Sequence, residues 1–211
     1  LITPGFPSDE HDTTCIPALQ DWVYAQAQHK NIALTIISLH YPFAGGYYEW
    51  YGVPVYALGG ANSRFPGRLQ TWYQLWCLLK ALQPLSALHA CWYTEAAWLA
   101  SWMGWQLELP VLTTLMGKEL QERNWYKPFI REHSVIAVSD RQAADAQQAG
   151  VSLQQIIPWG LGSGHLAVEQ NKTVDLIGVG NLTANKQFDV LIRLVAALIP
   201  DFPQLRVALI G

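Results

Sequence analysis

Apolar and β-branched residues gather in short runs, and between the runs apolar positions recur every three or four residues. The runs are Ala33 to Leu39, Val53 to Leu58, Ala87 to Ala90, Val111 to Leu115, Ser134 to Val138, Gln155 to Ile157, Val174 to Val179 and Leu205 to Ile210. Their continuous apolar character is that of strands buried on both faces. Helical patterns fall between them, at Ile16 to His29, Leu69 to Gln83, Thr94 to Trp102, Asp140 to Ala149 and Phe188 to Ile199. Strands alternating with helices predict a parallel α/β architecture.

Local punctuation agrees with those limits. Ser139 and Gln142 have capping-box spacing, Gly150 stands where a left-handed C-cap belongs, and Thr94 and Gly104 bracket the preceding helix in the same way. Pro200 and Pro203 stop the last helix. Glycine-rich Pro158 to His165, followed by polar Glu169 to Thr173, reads as a linker. The expected organisation is a first domain over 1–160, a linker over 161–173, and a second domain opening at 174. Only a strand, a helix and a strand follow, and one β-α-β unit does not bury its own sheet, so a domain cut short is expected.

Composition narrows the choice. Hydrophobic residues make up 51% and charged residues 14%, the balance of a chain that folds. A net charge of -3 without a run of Lys or Arg argues against nucleic acid as a partner. The 3 cysteines, Cys15, Cys77 and Cys91, lack C-x-x-C spacing, which argues against a disulfide framework or zinc site and for a reducing cytoplasm. No leader pattern opens the sequence, and Gln74, Lys80, Gln83 and Pro84 interrupt the most apolar stretch, so a soluble or peripheral protein is expected. No Asp-x-Asp triplet is present. Trp72 and Trp76 share a helical face with Leu75, Leu79 and Leu82. Core packing accounts for such a face, and an interface or membrane-edge surface is the alternative, as it is for Trp98, Trp102 and Trp105.

The most specific stretch is Asp175-Leu-Ile-Gly-Val-Gly-Asn-Leu-Thr-Ala-Asn-Lys-Gln-Phe-Asp-Val-Leu-Ile, passing from strand through loop to helix. Lys186 falls in the loop at the carboxyl end of the strand, where open α/β sheets bind ligands and an ammonium neutralises developing negative charge. A solvated loop lysine is the plainer alternative. The stretch resembles the opening of the donor domain in family-4-type retaining glycosyltransferases (glycosyl transferases group 1) of the GT-B fold. Their pattern is an apolar strand, Val-Gly-Arg-Leu, a polar stretch, Lys-Gly, and a helix containing Leu-Ile. Val179, Gly180, Leu182, Lys186, Leu191 and Ile192 match it in order and spacing. In the family the Arg and Lys contact the diphosphate of a sugar nucleotide. Here the Arg position is Asn181, and Gln187 stands where Gly follows the Lys.

Weaker matches lie upstream. Ile156-Ile157-Pro158-Trp159-Gly160-Leu161-Gly162 resembles the family's Ile-Pro-Asn-Gly-Val-Asp, with Gly160 keeping the turn and Trp159 and Gly162 replacing the Asn and Asp; a hinge is the plain reading. Leu109-Pro-Val-Leu-Thr-Thr-Leu-Met-Gly-Lys-Glu looks like Pro-x-x-x-Thr-x-His-Gly-x-Asp, with Met116 for the His, Gly117 kept and Glu119 for the Asp. A thioether does not transfer protons. His89, ending a predicted strand, is therefore the candidate for a cleft histidine, against the alternative of a satisfied core residue. The loop after the first segment lacks the family's paired glycines, and Thr13 and Thr14, with Ser8, Asp9, His11 and Asp12, fill the space.

The resemblance implies a GT-B-like fold: a Rossmann-like parallel sheet with helices on both faces, then the first β-α-β unit of a second Rossmann-like domain. It implies transfer from a nucleoside-diphosphate sugar, as co-substrate and with no cofactor or metal, to a sugar or lipid-linked acceptor, in the cytoplasm with room for peripheral membrane contact. His89 and Glu119 would be the catalytic candidates, Gly180, Asn181 and Lys186 would hold the diphosphate, and Thr13, Thr14, Met116 and Gly117 would line the cleft. The family's Glu-x7-Glu motif would lie beyond Gly211, so residues 1–211 alone are expected to be inactive. Two alternatives stand: a nucleotide-sugar epimerase of the same fold, and a non-catalytic interaction module.

Overall fold

The structure, a computed structural model, describes residues 1–121, 123–160, 173–180 and 182–211. The chain divides into two units, Leu1–Gly162 and Ser163–Gly211.

The first unit is built on an 8-stranded sheet of order β3-β4-β2-β1-β5-β6-β7-β8. Its strands are β1 (Ile2–Gly5), β2 (Ile36–Tyr41), β3 (Gly46–Trp50), β4 (Val53–Ala57), β5 (Leu88–Cys91), β6 (Val111–Thr114), β7 (Ser134–Ala137) and β8 (Gln155–Ile156). Every pairing is parallel except that of β3 with β4. Helices α1 (Pro17–Ala27), α2 (Gly67–Ala81), α3 (Glu95–Gln106) and α4 (Asp140–Gln148) flank the sheet. Side chains of successive strand residues point to opposite faces. Accordingly Ile37, Leu39, Leu88, Ala90, Val135 and Ala137 join one core with Leu75 and Leu79 of α2, Ala96 to Ala100 of α3 and Ala146 of α4. Ile36, Val53, Val55 and Cys91 join the other with Leu19 and Val23 of α1, Phe6 and Trp50. This is a Rossmann-like α/β fold with helices on both faces.

Two strands escape the hydrophobic pattern. β1 carries Pro4 and Gly5, both depleted in strands, yet it occupies the middle of the sheet, with Ile2 opposite Ile37 on one side and Ala90 on the other. β3 is an antiparallel edge strand joined to β4 through Tyr51 (φ 46°) and Gly52 (φ 78°), the paired left-handed residues of a two-residue hairpin turn. Gly104 does not end α3. It lies inside the helix, where an added Cβ would come within 2.3 Å of Val111 Cγ2, so the missing side chain lets α3 approach β6. Thr94 precedes that helix without capping it through its side chain, whereas Ser139 Oγ accepts from the Gln142 amide at the start of α4.

Trp72 and Trp98 meet edge to face at 4.7 Å between α2 and α3. Trp102 and Trp105 lie at the surface, with the Arg131 guanidinium over both rings. Among the described residues no helix is long and apolar enough to cross a membrane.

The second unit holds β9 (Leu176–Val179) and β10 (Val207–Ile210), paired in parallel, and α5 (Phe188–Leu198). An added Cβ at Gly178 would lie 2.6 Å from Leu191 Cδ2, so α5 sits directly on β9. Much of its apolar surface remains open: Ile177 is 60%, Val179 66% and Ile192 56% exposed.

Candidate functional site

Chain order along the sheet reverses between β1 and β5, because the path from β1 runs to β2 and β4 on one side and only later to β5, β6 and β7 on the other. Diverging loops leave a crevice outside the carboxyl ends at such a point, the usual ligand position in open α/β sheets. The loop from Phe6 to Ile16, the turn Trp92 to Thr94 and the loop that follows β6 belong to that edge.

Side chains, not glycines, build the first loop. Asp9 Oδ1 accepts from the amides of His11 (2.7 Å) and Asp12 (3.1 Å). Asp12 Oδ1 accepts from the Thr14 hydroxyl (3.1 Å) and the Cys15 amide (3.3 Å), and its Oδ2 from the Tyr41 hydroxyl (2.8 Å). Partial burial pushes the Asp12 carboxyl up, but these bonds outweigh it and hold the group below the usual carboxylate range. Thr14 thus organises the loop, and Thr13 is exposed beside it.

Glu119 is buried, and its carboxylate accepts three backbone amides: Met116 (2.7 Å), Gly117 (2.7 Å) and Tyr93 (3.3 Å). Asn124 donates to the carbonyls of Tyr93 and Glu119. Glu119 therefore ties the loop after β6 to the turn after β5, with its oxygens facing N–H groups. Met116 packs with Trp92 against the core under α1. In this arrangement Glu119 and Met116 shape the crevice wall.

His89 does not end its strand. β5 continues to Cys91, which sets His89 within the sheet, facing α1. The Trp22 ring meets it edge to face at 5.2 Å, and its Nε2 is 2.7 Å from Thr114 Oγ1. Burial pushes its pKa down to about 4, so it is neutral near pH 7. Alternation along β5 puts His89 on the same face as buried Cys91, the face covered by α1.

A buried polar group at the same edge was not singled out in the sequence. Glu95, the first residue of α3, receives His40 Nε2 at 3.0 Å and the Trp72 indole N–H, and pairs with Arg68 Nε at 3.5 Å. Arg68 Nη1 also donates to the Tyr126 hydroxyl at 2.7 Å. Burial alone would raise the Glu95 carboxyl; the bonds from His40 and Trp72 and the charge of Arg68 reverse that and hold it below the usual range. His40 Nδ1 is buried and finds no hydrogen-bond partner among the described residues. The one available signal was a carboxylate heading the apolar run Ala96 to Met103.

In the second unit, β9 ends at Val179 and is followed by Gly180, whose φ is 149°. A Cβ there would lie 3.3 Å from Lys186 Cδ, so the lysine stem crosses the carboxyl end of β9. A short 3-10 turn, Ala184–Lys186, follows the loop, and Gln187 is left-handed at φ 50°, a conformation glycine adopts freely. Asn181 and Gly162 lie outside the described residues. Gly160 is exposed, and an added Cβ there would meet open space. Among the described residues no group of His, Cys, Asp or Glu is placed to hold a metal, and Cys15, Cys77 and Cys91 are free. No known protein family and no curated protein matches this chain in sequence.

Proposed function

We propose that the chain belongs to a nucleotide-sugar-dependent glycosyltransferase of GT-B type, with the acceptor at the first unit and the donor diphosphate at the second. The observation that carries this reading is the strand-loop-helix of the second unit. Lys186 is laid across Gly180 at the carboxyl end of β9, and the residue after it is left-handed, at the position where the family pattern has Gly. An ammonium so placed stabilises the charge that builds on a diphosphate leaving group as the glycosidic bond breaks. The switch-point crevice beside β1 and β5 supports an acceptor position in the first unit.

The test is calorimetric titration of UDP, GDP and ADP into a full-length protein that carries the complete second domain, repeated with Lys186→Ala. One nucleotide is expected to bind, and the substitution to weaken it about tenfold or more, as befits a charge-assisted phosphate contact. If none of the three binds, both the transferase and the epimerase readings fail, and the interaction module remains.

A further inference from the structure

A cavity of about 290 Å³ opens at the carboxyl edge beside β5 and β6, lined by Trp92, Thr94, Lys118, Arg123, Trp125 and Tyr126 among others. We propose that it holds the acceptor and that this acceptor is an anionic saccharide, a sugar bearing a phosphate or a carboxylate. The word acceptor rests on the glycosyl-transfer reading; the binding of an anionic sugar does not.

The chain carries a net charge of -3, yet this cavity presents Lys118 and Arg123, neither of which pairs with a carboxylate among the described residues. The one carboxylate in its described lining is Glu119, whose oxygens are engaged by the amides of Tyr93, Met116 and Gly117. Tyr126 is held from behind by Arg68, whose charge Glu95 balances. Among the described lining residues the side-chain charges are therefore Lys118 and Arg123 against the amide-bound Glu119, a positive balance.

The Arg123 guanidinium lies 4.0 Å from the centre of the Trp125 ring, and a guanidinium stacked on an aromatic ring can still offer N–H groups to the paired oxygens of a phosphate or carboxylate. Trp125 is 68% exposed, so an indole face remains for the C–H face of a sugar. Trp92 contributes a second indole from a left-handed backbone, φ 70°, a strained state for a bulky residue and one found where function demands it. The volume matches the small end of ligand pockets, about 300 Å³, and suits one ring with its charged substituent.

Titration of glucose 6-phosphate, glucuronic acid, glucose and inorganic phosphate into the full chain decides the matter. At least one anionic sugar is expected to bind about tenfold or more tightly than glucose, and to weaken about tenfold in Lys118→Ala and Arg123→Ala, with affinity falling as salt rises. Both side chains are exposed, so unchanged thermal melting of the variants is the folding control. The phosphate and carboxylate arms tell which anion is preferred. Equal binding of glucose and the anionic sugars, insensitivity to both substitutions, or inorganic phosphate binding as tightly as glucose 6-phosphate would each overturn the proposal. Sugar-phosphate binding with no nucleotide binding would sustain this site and remove the transferase reading; the converse result would remove this site alone.

Discussion

Glu119 and Glu95 are both carboxylates buried at the same sheet edge, and their surroundings assign them different work. Glu119 faces amides and braces two loops. Glu119→Gln turns an NH2 toward those amides and is expected to cost about 1–3 kcal/mol in urea unfolding, the scale of leaving buried donors unsatisfied. Glu95 faces His40, Trp72 and Arg68, and truncation to Ala strands Arg68 and His40; a cost of about 3–5 kcal/mol is expected for breaking such a buried pair. His89 gives a pH signature. Its folded pKa of about 4 lies below the ordinary 6.5, so between those values the unfolded chain takes a proton that the folded chain refuses. Its contribution is constant above pH 6.5 and stability falls as pH drops toward 4, by as much as about 3 kcal/mol. His89→Gln should flatten that part of a profile of melting temperature against pH. Histidine at 89 was visible in the sequence; that it meets Trp22 and Thr114 depended on α1 and β6 packing beside β5.

Elements repeat the pattern at larger size. Those announced by periodicity and caps, such as α4 with Ser139 at its start and Gly150 after its end, fold where the pattern places them. β1 was hidden by Pro4 and Gly5, whose intrinsic preference is overridden by pairing on both sides, and β3 by its mostly exposed edge position, which leaves it without a continuous apolar run. Gly104 reads locally as a helix stop, but helix and sheet packing uses it as a gap. Gly104→Ala therefore meets Val111 Cγ2, and the overpacking, about 1–3 kcal/mol, is expected to outweigh the helix-propensity gain; Val111→Ala in the same chain should restore part of the loss in thermal melting.

For the whole molecule, the two units differ in how much they bury. Strands β1, β2 and β5 lie between two cores, whereas α5 has no buried residue and Ile177, Val179 and Ile192 stand more than half exposed. Amide hydrogen exchange is expected to be far slower in β1, β2 and β5 than in β9, α5 and β10; equal protection would contradict the burial difference. By itself the sequence determined the alternation of strands and helices, the parallel α/β class, the caps of α4 and the position of Lys186 in a strand-to-helix loop, because periodicity, capping and turn chemistry act over a few residues. Only the tertiary structure decided that β1 enters the centre of the sheet and makes the switch point, that His40, Glu95 and Arg68 meet although they are far apart in the chain, and that Lys118 and Arg123 share a cavity with Trp92. Those are long-range contacts, and their selection depends on burial and charge compensation across the assembled sheet, which no local pattern encodes.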